Sequence, residues 1–182
     1  MIDPETVPAF SDIGSRIRLH AQQSPVRRAL VVGERSLDYA ALDRQMDRVA
    51  AALQRDGLAP GDAIGICAAT SIEYACVFLG ALRAGVVVAP LAPGATPASL
   101  QRMLADADAK LLFVSGDVDV GAGGPARVAF DAAAAGRPFH DWLADCASPH
   151  AGTIDPQAAF NIIYSSGTTG EPKGIVQSHA MR

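Results

Sequence analysis

Four short apolar segments most strongly limit the folds open to this chain. They are GDAIGICAAT at 61–70, VVVAPL at 86–91, LLFVSG at 111–116 and AAFNIIYSS at 158–166. A strand that is apolar along most of its length is buried on both faces, which is typical of parallel sheets covered by helices. Because helical segments alternate with these strands, we predict an α/β fold with a largely parallel sheet flanked by helices.

The helical segments are recognised from their apolar spacing and their end residues. An amphipathic helix is predicted at 10–24, followed by a hairpin over 29–37 with its turn at Gly33-Glu34. The next helix has apolar residues four, three and four positions apart, and Gly57 is expected to end it. These apolar residues are Leu42, Met46, Val49 and Leu53. A third helix is expected to begin after an N-cap at Ser71, and a fourth to lie within 93–109.

Composition excludes several classes of function. The 182 residues are 49% hydrophobic and 19% charged, which is typical of a globular domain. The formal net charge is −4 and no basic block occurs, so nucleic acid is not an expected partner. The most apolar stretch, 76–92, is interrupted by Arg83 and closed by prolines, so we expect no transmembrane segment.

The cysteines and the N-terminus bear on location. Cys67, Cys76 and Cys146 form no CxxC pair and are odd in number, so neither a disulfide framework nor a zinc site is expected. They are interpreted as small buried apolar residues. The first residues contain no apolar signal-peptide core. Together these features predict a reducing, cytoplasmic location.

The segment YSSGTTGEPKG at 164–174 carries the clearest chemistry. It follows a predicted strand and combines glycines, hydroxyl side chains and a lysine. Glycines allow backbone N–H groups to turn toward an anion, and hydroxyls and an ammonium group bind phosphate oxygens. Lysine is scarce in the chain, which has thirteen Arg but only Lys110 and Lys173, so Lys173 is not explained by lysine abundance. The pattern therefore predicts a phosphate site.

Two other nucleotide motifs fit less well. A Walker A loop requires Gly before its lysine and Ser or Thr after it, whereas Pro172 and Gly174 flank Lys173, which disfavours a P-loop NTPase. GAGGPA at 121–126 has the outline of a dinucleotide fingerprint, but Pro125 and a β-prone segment follow where a helix should open. We interpret it as a flexible surface loop.

The glycine-rich segment closely resembles the phosphate-binding motif of the adenylate-forming, or AMP-binding, enzymes. This superfamily includes acyl-CoA synthetases, luciferases and peptide-synthetase adenylation domains. Three further segments resemble family segments in the family's order: LDYAAL at 37–42, LGALRAGVVVAPLAPGATPASL at 79–100 and QRMLADADAKLLFVSGD at 101–117. The resemblance extends from about Ile13 to Arg182 and is weak only near 118–155. It implies the N-terminal subdomain of the family's large domain.

The resemblance implies an activity and its reactants. Family members use ATP and Mg²⁺ to convert a carboxylic acid to an acyl-adenylate, and then transfer the acyl group to a thiol of CoA or of a carrier protein. By this resemblance, Lys173 and Thr168 would be catalytic, and Thr168 would also contact the metal. The implied phosphate-binding residues are Ser165, Ser166, Gly167, Thr168, Thr169, Gly170, Lys173 and Gly174. Tyr164 and Pro172 are expected to shape the loop, and His179 to have a capping or structural role.

The resemblance also implies that parts of the enzyme lie outside this sequence. Residues 1–182 would form an incomplete N-terminal subdomain, with 118–155 as a variable region. The family's adenine-binding and ribose-binding motifs, acyl pocket and C-terminal domain have no counterpart here. The sequence stops at SHAMR without a helix-capping signal, so we expect a fragment that needs the remainder of the ligase chain and is inactive alone.

Several alternatives remain open at the level of sequence. An acyl-CoA synthetase of fatty acid metabolism is favoured over a peptide-synthetase domain because PLAPGA lacks the Asp common after PL in the latter, and because SSGTTG is more typical of CoA ligases. A non-catalytic nucleotide-binding module is the main rival from another class. The identity of the acid is not encoded in these residues.

Overall fold

A computed structural model of the protein describes residues 10–145, 149, 152–166 and 172–181. The α-helices of this part are α1 (Ile13–Gln23), α2 (Tyr39–Arg55), α3 (Ile72–Arg83), α4 (Pro97–Asp106) and α5 (Phe139–Trp142). The strands are β1 (Arg28–Val32), β2 (Arg35–Asp38), β3 (Ala63–Cys67), β4 (Val87–Pro90), β5 (Ala109–Val114), β6 (Ala126–Ala129), β7 (Arg137–Pro138), β8 (Ala159–Ser166) and β9 (Pro172–Ser178). None of the helices described is long and apolar enough to cross a bilayer.

The main sheet has seven strands in the order β7-β6-β5-β3-β4-β8-β9. Every neighbouring pair is parallel except β8 and β9, which are antiparallel. The predicted α/β fold with a largely parallel sheet is therefore confirmed. Strands β1 and β2 form a separate antiparallel hairpin, and Gly33 in its turn has φ of 58°, as the predicted turn requires.

Side-chain caps determine where the longer helices begin. The N-cap residues Asp12, Asp38, Ser71 and Thr96 each accept a hydrogen bond from the backbone N–H three positions later, at 2.7–3.3 Å. These bonds satisfy N–H groups that have no partner inside the helix. The predicted cap at Ser71 is confirmed, and Gly85 follows α3 with a positive φ of 73°.

Both faces of the sheet are buried, as the apolar strands predict. Helices α2 and α3 cover one face, where Leu53 and Val77 pack with Ile64. Helix α4 covers the other face, where Leu104 packs with Leu112. Gly65 allows the close approach of α4, because a Cβ at this position would lie 2.6 Å from Leu104 Cδ2.

An ion-pair cluster joins the three helices α1, α2 and α3. The side chain of Arg83 is only 10% exposed and lies 2.6 Å from Asp43 Oδ1 and 2.9 Å from Asp47 Oδ1. Its guanidinium also donates to the backbone oxygens of Asp43 and Gly14. Arg18 of α1 completes the cluster, 2.5 Å from Asp47. The charge that interrupts the apolar stretch in the sequence is thus fully paired.

The sheet is extended at one edge by residues to which the sequence assigned no elements. Strands β6 and β7 and helix α5 lie within 127–150 or at its border. Trp142 is 1% exposed, and its Nε1 donates to Asp56 Oδ2 at 2.6 Å. The GAGGPA segment is a loop, and β6, not a helix, follows it.

Candidate phosphate site on the hairpin of β8 and β9

The glycine-rich motif begins and ends on two paired strands, which we call the hairpin stem (β8 and β9). Strand β8 pairs with β4 on one side and with β9 on the other. The motif therefore leaves the sheet at the carboxyl end of β8. In open α/β sheets, ligands bind beyond the carboxyl ends of parallel strands, so the motif lies at the edge expected for a ligand.

The stem brings two of the predicted site residues side by side. Ser165 on β8 is the register partner of Lys173 on β9. Directly opposed residues project from the same face of a sheet, with Cβ atoms about 4.5–5.5 Å apart. Both residues are exposed, and Lys173 forms no ion pair with any residue that the structure describes. The pair offers a hydroxyl donor and an ammonium group, which fit phosphate oxygens.

The other predicted residues fall into three groups. Gly174 lies within β9 as the partner of Tyr164, and Ser166 is the last residue of β8, where its backbone pairs with Pro172. The remaining ones, Gly167, Thr168, Thr169 and Gly170, lie outside the described residues. Their phosphate roles, and the metal contact of Thr168, stay predictions. Within the described ranges, no group of three His, Cys, Asp or Glu side chains could hold a metal ion.

Strand β9 was not predicted by the sequence. The residues after Gly174, for which the sequence predicts no element, form a strand up to Ser178, and a short 3₁₀ helix, His179–Met181, follows. The signal that could have revealed the strand is the β-branched pair Ile175-Val176 directly after Gly174. Both of these side chains are more than half exposed, as on an edge strand.

Tyr164 contacts helix α4, a contact that sequence reasoning missed. Its hydroxyl lies 2.7 Å from Asp106 Oδ2 and 2.9 Å from the backbone oxygen of Met103. Burial, and then the hydrogen bond to the Asp106 carboxylate, raise the pKa of Tyr164 far above its usual value. The phenol therefore stays protonated and acts as a hydrogen-bond donor at every physiological pH.

A cavity of about 470 Å³ lies elsewhere on the same strand. Phe78 and Phe160 form apolar walls, and Asn161 and His179 contribute buried polar groups. Asn161 Oδ1 has no hydrogen-bond partner among the described residues. The His179 ring packs edge-on against Phe160, and burial lowers its pKa although Asp12 partly opposes this. A neutral, buried ring supports the predicted structural role of His179.

Comparison with known proteins shows the family of the chain. The family model described as AMP-binding enzyme matches residues 17–181, nearly the whole chain. The fold, the glycine-rich motif on its hairpin stem and this match together define the class of protein. The chain belongs to the AMP-binding enzyme family, whose members form adenylates.

Individual relatives differ in what they are named for. The chain is 31% identical over 180 residues to the fatty acid–[acyl-carrier-protein] ligase ScoC of Streptomyces coeruleorubidus, covering 94% of this chain and 34% of ScoC. It is 32% identical over 183 residues to the AMB antimetabolite synthetase AmbB of Pseudomonas aeruginosa, covering 97% of this chain and 14% of AmbB. The chain thus spans about a third or less of the length of these relatives.

A solved structure shares the fold. The N-terminal subdomain of Klebsiella oxytoca NpsA, determined in complex with 3-hydroxybenzoyl-AMSN, superposes with a TM-score of 0.78 at 23% identity. The match covers 93% of this chain and 41% of that one. The architecture of the chain is therefore that of an N-terminal subdomain of an adenylate-forming enzyme.

Proposed function

We propose that the protein containing this chain is an ATP-dependent acid–thiol ligase, with CoA as its acyl acceptor. The observation that carries the proposal is the pairing of Ser165 with Lys173 at the base of a glycine-rich loop, at the carboxyl end of β8. A hydroxyl and an exposed cation beside a loop of this composition suit the phosphates of ATP. Cys67 and Cys76 are free thiols, which fits a reducing, cytoplasmic setting.

The proposed reaction has two steps. In the first, a carboxylate oxygen attacks the α-phosphorus of ATP, the bond from this phosphorus to the bridging oxygen breaks, and pyrophosphate leaves. In the second, a thiol sulfur attacks the acyl carbon, AMP leaves, and the thiol proton is released. Negative charge accumulates on the departing pyrophosphate, so positioning and neutralising charge are the main tasks of the protein.

The roles proposed for individual residues are to neutralise or bind the negative charge on the phosphates. Lys173 neutralises the β- and γ-phosphates, and Ser165 donates a hydrogen bond to one of their oxygens. Thr168 and Thr169 supply further hydroxyl contacts, and Thr168 also orients the metal that accompanies ATP. Thr168 would help to hold Mg²⁺, which would supply additional charge neutralisation.

The choice of CoA rests on two features of the sequence. PLAPGA lacks the Asp common after PL in peptide-synthetase domains, and SSGTTG is more typical of CoA ligases. The rival acceptor is the thiol of a carrier protein. It is favoured by the relative ScoC, which is named as an acyl-carrier-protein ligase.

Pyrophosphate exchange tests the first step. The protein that contains this chain is incubated with Mg²⁺, ATP, labelled pyrophosphate and a panel of fatty, aromatic and short-chain acids. We expect label to enter ATP only when a suitable acid is present. ATP binding without exchange for any acid would reject the ligase and leave a non-catalytic nucleotide-binding module.

The second step is tested with the acid that supports exchange. CoA and a phosphopantetheinylated carrier protein are compared as acceptors at equal concentration, and thioester formation is followed by mass spectrometry. We expect the CoA thioester to form faster. Transfer to the carrier protein alone would replace CoA with a protein partner while keeping the adenylation step.

A further inference from the structure

The two faces of the hairpin stem differ in their surroundings: one packs against helix α4, and the other carries the side chains of Ser165 and Lys173. Successive residues of a strand project to opposite faces. Tyr164 and its partner Gly174 therefore face α4, whereas Ser165 and Lys173 face away from it. A group on α4 can reach the stem through Tyr164 and Gly174 but lies on the face opposite to the side chains of Ser165 and Lys173.

Asp106 carries a carboxylate at a position where its own helix does not favour one. It is the last residue of α4, where the helix dipole disfavours a negative charge. Its carboxylate instead accepts a hydrogen bond from the Tyr164 hydroxyl at 2.7 Å. Hydrogen bonds to an ionised acceptor are stronger than neutral ones. The favourable interaction of the Asp106 carboxylate is therefore a tertiary contact with the hairpin stem.

Gly174 completes this contact from the other strand. A Cβ at Gly174 would lie 3.1 Å from Asp106 Oδ2 and 3.2 Å from Tyr164 Cε1, tighter than most real contacts. The backbone of β9 thus passes directly against the hydrogen-bonded pair. We call Asp106, Tyr164 and Gly174 the α4 anchor.

We propose that Asp106 is a positioning residue for the paired side chains of Ser165 and Lys173, acting through the Tyr164 hydroxyl. The α4 anchor fixes both strands of the stem one residue before Ser165 and one residue after Lys173. It thereby sets the direction from which these side chains meet phosphate. The inference rests on the proposed function, because it assigns the α4 anchor to the same site.

The test uses Asp106→Ala and Tyr164→Phe in the protein that contains this chain. Asp106→Asn is the conservative variant, because its amide oxygen still accepts the hydrogen bond. Tyr74→Phe is the matched control: it deletes the same atom from a partly buried tyrosine of α3. Hydrogen–deuterium exchange of peptides covering 164–174 is measured without ligand, and pyrophosphate exchange gives the KM for ATP and for the acid.

We expect Asp106→Ala and Tyr164→Phe each to speed exchange of the loop peptides and to raise the KM for ATP about tenfold, with the KM for the acid within twofold of wild type. The double variant should equal Tyr164→Phe alone, because that variant already removes the hydroxyl that contacts Asp106 and the Met103 backbone oxygen. Asp106→Asn should recover most of the ATP affinity, and Tyr74→Phe should match wild type.

Other outcomes separate the inference from the proposed function. If wild type shows no pyrophosphate exchange, the ligase proposal fails, and unchanged hydrogen exchange in the variants would reject the α4 anchor independently. If wild type is active, equal rises in both KM values, additive effects or a KM for ATP that does not change would each overturn the positioning role.

Discussion

Arg83 and Lys173 are both cations, but their surroundings are opposite. Arg83 is buried among α1, α2 and α3 and lies beside the two carboxylates of Asp43 and Asp47. Lys173 is exposed on β9 and has no acidic partner among the described residues. The charge of Arg83 is paired within the fold, whereas the charge of Lys173 remains available to a ligand. Pairing, rather than charge alone, therefore distinguishes a structural cation from one that is free to contact a ligand.

Replacing Lys173 should give the largest effect and should spare stability. Lys173→Met keeps most of the side-chain volume and removes the charge. We expect kcat/KM for adenylation to fall by about 100- to 1000-fold, since a lost electrostatic contact to developing charge costs about 3–4 kcal/mol. The melting temperature should stay within about 2 °C, because an exposed side chain with few contacts contributes little.

The other lysine provides the matched control. Lys110 is paired with Asp108 at the surface, so Lys110→Met should alter neither activity nor melting temperature. A large loss of stability in Lys173→Met would show that Lys173, like Arg83, is a structural cation. Equal activity losses in Lys173→Met and Lys110→Met would show that the loss is not specific to Lys173.

Replacing Arg83 should have the reverse profile. Arg83→Met leaves the carboxylates of Asp43 and Asp47 with only Arg18 as a partner among the described residues, so we expect the free energy of unfolding to fall by about 3 kcal/mol. Chemical denaturation measures it. Arg35→Met is the control, because Arg35 pairs with Glu73 at the surface, where such pairs contribute less than about 1 kcal/mol. Similar losses in the two variants would contradict the special role of burial.

The same contrast between paired and unpaired polar groups can be tested, with a smaller expected effect, at the uncharged side chain of Asn161. Its Oδ1 is buried without a partner among the described residues, and so is Gln45 Oε1 in α2. Asn161→Val and Gln45→Leu should each raise the free energy of unfolding by about 1 kcal/mol, because an unsatisfied buried polar atom is removed. If only Asn161→Val is destabilising, the amide is held by a partner across the neighbouring cavity.

The buried thiols should show the smallest effect, which is almost no reaction at all. Burial raises the pKa of Cys67 to about 11 and that of Cys76 to about 12. At pH 8 the thiolate fraction is then on the order of 0.1% or less, so iodoacetamide should label neither residue in the folded protein. Labelling should accelerate as pH rises toward 10. The experiment uses a Cys146→Ser background, and rapid native labelling at pH 8 would contradict it.

Local signals predicted the central part of the fold well. Strands β3, β4, β5 and β8 were recognisable because burial on both faces leaves a continuous apolar sequence. Strand β9 was missed because an exposed edge strand does not have to be continuously apolar, and Ile175 and Val176 are more than half exposed. The composition of the motif predicts a phosphate contact for Lys173, and that role stays a prediction.

Contacts between distant residues could not be predicted in the same way. Arg83 interrupts an apolar segment, but nothing in the sequence says that Asp43 and Asp47 of another helix meet it. Asp106 is likewise indistinguishable from any solvated residue near a helix end until Tyr164 is placed beside it. Such pairs depend on the packing of α4 and α3 against the sheet, which local propensity does not encode.

The position of β8 also has a consequence for the growing chain. Strand β4 pairs with β3 on one side, but its other edge is filled only when Asn161 arrives opposite Val88. During synthesis, the buried strand Val87–Pro90 therefore presents an open apolar edge until β8 has left the ribosome. Unpaired edges of this kind are templates for aggregation. The strand that carries the glycine-rich motif thus also closes an apolar edge of the nascent sheet.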